Sequence, residues 1–256
     1  IRGTKIVIID PAATAASQPE YKRMCEKKRG AYISFSKDSK NIPAIMGLHT
    51  GDFLEDIFAI EHVLSVMLGG EQGITKAQEP WLEKAILMAF EMVGINASNP
   101  ASWKNIPPRL DKLKIALTKL FREAKSENSR MSIEALLSRL SRFTGDGMYS
   151  FIDQSGSELK LDNSFTVFEF KNTPSQIRET LTAIVMNYVK AKSMSNLDRT
   201  IIVLEEAPLW LKHAVLADFL STMIVLVRKS NTGIILVLQD LGQLDNCQQG
   251  ETLLGN

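Results

Sequence analysis

Three short apolar runs constrain this chain more than any other feature: Lys5-Ile-Val-Ile-Ile-Asp10, Thr200-Ile-Ile-Val-Leu-Glu205 and Gly233-Ile-Ile-Leu-Val-Leu-Gln239. A strand wetted on one face alternates apolar and polar residues, whereas an unbroken β-branched run fits a parallel strand covered on both faces. A fourth run, Phe165-Thr-Val-Phe-Glu-Phe170, alternates more and reads as a strand nearer the sheet edge or with one wetter face. Between it and Thr200, apolar residues at Ile177, Leu181, Ile184, Val185, Tyr188 and Val189 keep the spacing of one helical face. Thr173-Pro174-Ser175 supplies the start signal for that helix. Strand, helix, strand is a βαβ crossover, and a second runs from Glu205 through a helix near Leu209 to Arg228 and back into Gly233.

From about Asp52 to Gly145 the strand signal disappears and three or four helices fit instead. Thr75 followed by Gln78 is a capping-box pattern, ahead of a face made by Trp81, Leu82, Ala85, Ile86, Ala89, Phe90 and Val93. Leu110, Leu113, Leu117, Leu120, Phe121 and Ala124 line a second helix, and Ile133, Leu136, Leu137 and Leu140 a third. The expected organisation is therefore an α/β core over residues 1–51 and 146–256, with a helical subdomain inserted at 52–145.

Composition narrows the functional classes. With 256 residues, 45% hydrophobic and 23% charged, the chain buries a core without staples. Lys and Arg number 30 against 29 Asp and Glu, so no global charge draws it to nucleic acid or anionic lipid. Two cysteines and three histidines, scattered, make neither a disulfide framework nor a zinc site. A reducing, cytoplasmic setting is the default expectation. The longest apolar stretches, such as Ile224 to Val227, fall far short of the roughly 18 residues that span a bilayer. Lys104 to Arg130 carries eight basic residues against three acidic ones, but its one aromatic residue, Phe121, belongs to the apolar helix face rather than interleaving with the charges, which favours a solvated helix surface over a nucleic-acid face.

Ligands of open parallel sheets bind outside the carboxyl ends of the strands. Three apolar strands here finish there in polar groups: Asp10, the pair Glu205-Glu206, and Gln239. Two adjacent carboxylates leaving a rigid strand match the Walker B arrangement, in which one holds magnesium through water and the next polarises the attacking water. Paired acids also start loops and first helical turns, and Asp10-Pro11 is a common turn, so each feature alone is ambiguous. Gln239 is placed to sense a γ-phosphate or to position water, and Arg228, paired with Lys229, to offset charge in a transition state.

In order and interval, Ile6-Val-Ile-Ile-Asp-Pro11, Tyr21-Lys-Arg-Met-Cys-Glu26, Gly30-Ala-Tyr-Ile33, the helical insertion, Phe165 to Phe170, Ile201 to Pro208, Arg228-Lys229 and Leu238-Gln239-Asp-Leu241 resemble the motor domain of conjugative-transfer and type IV secretion ATPases. The resemblance implies a RecA-like parallel sheet flanked by helices, with an all-helical insertion. It implies ATP and Mg2+ as cofactors, Glu206 as the catalytic carboxylate, Glu205 as the magnesium-associated one, Gln239 as sensor, Arg228 as candidate arginine finger, and Asp10 on the nucleotide side. It further implies a hexameric motor at the cytoplasmic face of the inner membrane, working with other secretion-system subunits. A DNA-pumping coupling protein of the same fold and a scaffold that lost its chemistry are the alternatives.

Three departures accompany the resemblance, one being a loop from Pro11 to Glu20 that is longer than usual in the family. Glu205 stands where the family commonly has Asp, and no Gly-x-x-x-x-Gly-Lys-Ser/Thr sequence occurs in the chain. The family carries that phosphate loop just before the strand containing Ile6. Because the chain starts at Ile1 and is already in a strand by Lys5, it is expected to begin inside a longer protein, downstream of the loop, and to bind ATP poorly alone.

Overall fold

In the computed structural model, the structure describes residues 3–11, 19–39, 41–153, 159, 161–195, 199–211, 213–227 and 231–238. The chain divides into two compact units, one formed by Ile1–Ser39 with Leu159–Asn256 and the other by Lys40–Glu158.

The first unit holds five strands, β1 (Lys5–Asp10), β2 (Ala31–Ser36), β3 (Phe165–Asn172), β4 (Thr200–Leu204) and β5 (Thr232–Leu236). They form one sheet in the order β2-β3-β1-β4-β5, and every pairing is parallel. The connection from β1 to β2 runs through α1 (Pro19–Lys28), and that from β3 to β4 through α6 (Ser175–Ser195). These two connections cross the sheet in opposite directions. Right-handed crossovers therefore put α1 on one face and α6 on the other.

On the α1 face, Ile8, Phe165 and Val167 pack with Cys25 of α1, joined by Ile6, Tyr21, Tyr32 and Val203. On the opposite face Phe35 stacks against Phe168, with ring centroids 6.1 Å apart, and tilts against Phe170 at 5.2 Å. The cover on the α1 side thins toward β5, where Ile235 and Val237 remain 49% and 38% exposed.

The structure corrects three expectations. β3 is an interior strand buried along Phe165–Phe170, lying between β2 and β1. Its alternation comes from Thr166 and Glu169, both buried polar residues rather than wetted ones. The edge place belongs to β2, a serine-containing strand whose apolar signal is weak. The helix expected between Leu209 and Arg228 is two, α7 (Ala207–Leu211) and α8 (Ala214–Val227), with His213 starting the second by accepting from the Ala217 N–H at 2.9 Å.

The second unit contains α2 (Phe53–Gly69), α3 (Glu79–Met92), α4 (Leu110–Glu123) and α5 (Glu127–Leu140). Asp52 caps α2 by accepting from the Leu54 and Glu55 N–H groups at 3.0 and 3.1 Å. The Gln78 side chain reaches back to the Thr75 N–H at 2.9 Å, the reciprocal half of a capping box. Asp153 does for α4 what Arg109 at its N-terminus does not, accepting from the Leu110 N–H at 3.0 Å. Among the described residues no helix is long and apolar enough to cross a membrane.

Candidate active site at the carboxyl edge of the sheet

Register decides which strand-end residues meet. Asp10 is the Cα partner of Glu169, and Ile9 that of Leu204. The Glu205 N–H donates to the Ile9 carbonyl at 3.0 Å, carrying the β1–β4 pairing one step further. Ser34, Glu169, Asp10 and Glu205 consequently stand abreast across four neighbouring strands. Side chains in one row of a parallel sheet share a face, because the pleat has a period of two. That face is the one α1 covers, so the carboxylates cap the apolar layer of Ile8, Val167 and Val203.

Two phenols meet this row from below. Tyr21 of α1 donates a hydrogen bond to Glu205 Oε1, linking residues 184 apart in sequence. Burial first, then the bond to Glu205 and the charges of Glu205, Asp10 and Glu20, push the Tyr21 phenol far above its ordinary range. Tyr32 of β2 is pushed up to about 12, by burial first and then by the charges of Glu169 and Asp10, and it also hydrogen-bonds Glu169. Both phenols stay protonated donors at neutral pH, which offsets the cost of setting like charges on neighbouring strands. Glu169 is only 2% exposed and also accepts from the Lys171 N–H at 2.8 Å.

Glu206 follows with φ of +49°, in the left-handed region, and breaks the strand before α7 begins at Ala207. Three bonds hold this turn. Trp210 Nε1 donates to the Glu205 carbonyl at 3.0 Å, the Ala207 N–H to the Val237 carbonyl at 3.0 Å, and the Val237 N–H to the Leu204 carbonyl at 3.0 Å. Val237 is therefore held beside the acid pair, two residues ahead of Gln239.

Of the sequence-expected site residues, the structure brings Asp10, Glu205 and Glu206 to one rim, while Gln239 and Arg228 lie outside the described residues. Glu169, Tyr21 and Tyr32 were missed. A glutamate inside an apolar run is the one signal that pointed to Glu169, because an unpaired buried carboxylate is too costly to keep. Among the described residues, no group of three or more His, Cys, Asp or Glu side chains is disposed to hold a metal by itself. Magnesium suits such a rim all the same, since it takes oxygen ligands, keeps several waters and is held through one or two carboxylates together with substrate phosphates.

A family model described as the TraG P-loop domain matches residues 1–248. Among solved structures, VirB4 of Thermoanaerobacter pseudethanolicus is similar with a TM-score of 0.77 and 22% identity, over 98% of this chain and 67% of that one. The bacterial conjugative coupling protein TrwB is similar with a TM-score of 0.57 and 15% identity, over 99% of this chain and 61% of that one. TrwB in complex with ADP and Mg2+ matches with a TM-score of 0.57 and 17% identity, again over 99% and 61%. At such identities these likenesses concern the fold. No curated protein sequence matches.

Proposed function

The chain belongs to the TraG P-loop domain family, and from that premise we propose that it forms part of the ATP-hydrolysing motor of a bacterial conjugative-transfer or type IV secretion machine. One observation carries the proposal: an acid pair leaves β4 abreast of Asp10 at the carboxyl edge, in a turn bonded to the end of β5. That edge is where a parallel sheet receives nucleotide phosphates.

Glu206 is the general base that orients the attacking water and takes its proton. Glu205 would hold Mg2+ through water, and the ion would supply positive charge to the nucleotide phosphates. Asp10 lines the nucleotide side of the rim, Gln239 senses the γ-phosphate, and Arg228 supplies positive charge to the transition state. The chain has no Gly-x-x-x-x-Gly-Lys-Ser/Thr sequence, so hydrolysis belongs to the intact protein and this chain alone binds ATP weakly.

In the intact protein we place this motor as a homo-oligomer, a hexamer, at the cytoplasmic face of the inner membrane. It there works with other secretion-system subunits in channel or pilus assembly and substrate transport. The coupling-protein alternative differs in binding duplex DNA with a steep dependence on salt.

The test is Glu206→Gln in the full-length protein. Steady-state hydrolysis should fall by about 10²- to 10⁴-fold while binding of a fluorescent ATP analogue persists. Unchanged turnover would remove Glu206, and with it the proposed mechanism.

A further inference from the structure

We propose that Tyr21 is a positioning residue for Glu205, fixing the first carboxylate of the acid pair from α1 so that a single oxygen is left to hydrated magnesium. This rests on the motor reading above and adds to it a residue from outside the strand-end motif.

Glu205 leaves the strand with one more methylene than an aspartate would, and so with one more rotatable bond to immobilise. A metal-associated carboxylate works when its oxygens are oriented in advance. The structure supplies that restraint at both ends of the residue. Trp210 holds the main-chain carbonyl at 3.0 Å, and the Ile9 carbonyl takes the N–H at 3.0 Å. The side chain is then held by the Tyr21 phenol at Oε1, which leaves Oε2 as the other acceptor.

The phenol is itself restrained. Tyr21 packs in the apolar cluster of Ile8, Val167 and Val203, beneath the carboxylate row. α1 continues to Cys25, which is buried in the same cluster and donates through Sγ to the Ala31 carbonyl at 3.4 Å. The helix then returns to β2 through Gly30, whose N–H donates to the Cys25 carbonyl at 2.8 Å. A Cβ at Gly30 would collide with the Phe165 carbonyl oxygen, so the turn after α1 lies directly against β3 and a bulkier residue there would push it away. The anchoring of α1 to the sheet therefore reaches Glu205 through one hydrogen bond. A shorter Asp at 205 would withdraw the acceptor from the phenol, so the Tyr and the Glu belong together.

The experiment measures binding of mant-ADP to the full-length protein across a Mg2+ titration and in EDTA, for the parent, Tyr21→Phe, Glu205→Asp and the double variant. Tyr21→Phe keeps the ring and its packing and removes only the donor. It should raise the Mg2+ concentration for half-maximal enhancement of binding by about three- to tenfold, the range of one hydrogen bond's net contribution, and leave affinity in EDTA unchanged. In the Glu205→Asp background the same change should have no further effect.

An unchanged Mg2+ midpoint in Tyr21→Phe, in a protein whose binding responds to Mg2+, overturns the positioning role and leaves the motor reading standing. An equal shift in both backgrounds also overturns it, since the effect would then not pass through Glu205. Absence of any Mg2+-dependent nucleotide binding by the parent protein overturns both.

Discussion

Trp210 Nε1 donates to the main-chain carbonyl of Glu205 at 3.0 Å, so an indole of the short helix α7 is fastened back to the residue that follows β4. Trp210 is 1% exposed and packs on the unit's core while it holds the turn. Removing a buried donor leaves its partner carbonyl short of a hydrogen bond, at a cost that grows with that carbonyl's burial.

Trp210→Phe keeps an aromatic ring and removes the N–H. It should destabilise the chain by about 1–3 kcal/mol, from the unpaired carbonyl and the smaller ring together. A thermal unfolding midpoint lower by about 3–8 °C would agree. A midpoint equal to the parent's would mean that the turn does not depend on this bond.

Glu206 sits at φ +49°, where a side chain costs backbone energy that glycine does not pay. Glu206→Gly should therefore hold stability level or raise it by up to about 1 kcal/mol. Glu206→Val, β-branched in the same conformation, should lower it by about 1–2 kcal/mol. Urea denaturation of both variants checks the ordering, and a more stable valine variant would contradict it. In the motor reading both variants lose hydrolysis, so at this position stability and activity separate.

Glu61 on α2 is pushed up to about 7, by burial first and then by the charges of Glu83 and Glu79. A carboxyl whose folded value lies above its ordinary value of 4.5 binds more protons in the folded chain than in the unfolded one. Its contribution to stability is then complete below about pH 4.5 and is lost as pH rises toward 7. Glu61→Gln should flatten this dependence and raise the melting midpoint at pH 7.5 more than at pH 5. Equal gains at the two pH values would show that Glu61 is not the titrating group.

The helices α3, α4 and α5 and four of the five strands are legible in the sequence because apolar periodicity reports local burial directly. The Thr75–Gln78 cap and the start of α6 at Ser175 follow from residues a few positions apart, and the structure has both. What was hidden shares a cause. β2 alternates tyrosine, serine and phenylalanine, a weak strand signal that becomes a strand only by pairing with β3. α1 is mostly charged and helical through packing of Tyr21 and Cys25, not through a broad apolar face. α7 and α8 are separate helices, and the tie of Trp210 back to Glu205 belongs to the turn before α7, which no helical period encodes.

By itself the sequence determined that parallel strands end in Asp10 and in Glu205-Glu206, because unbroken apolar runs closed by acids have few other stable uses. Only the tertiary structure decided that Glu169 joins them and that Tyr21 and Tyr32 brace the row. Neighbours across a parallel sheet come from distant parts of the chain. The order β2-β3-β1-β4-β5 is set by how the crossovers pack, and a one-residue change in register would turn every one of these side chains to the other face.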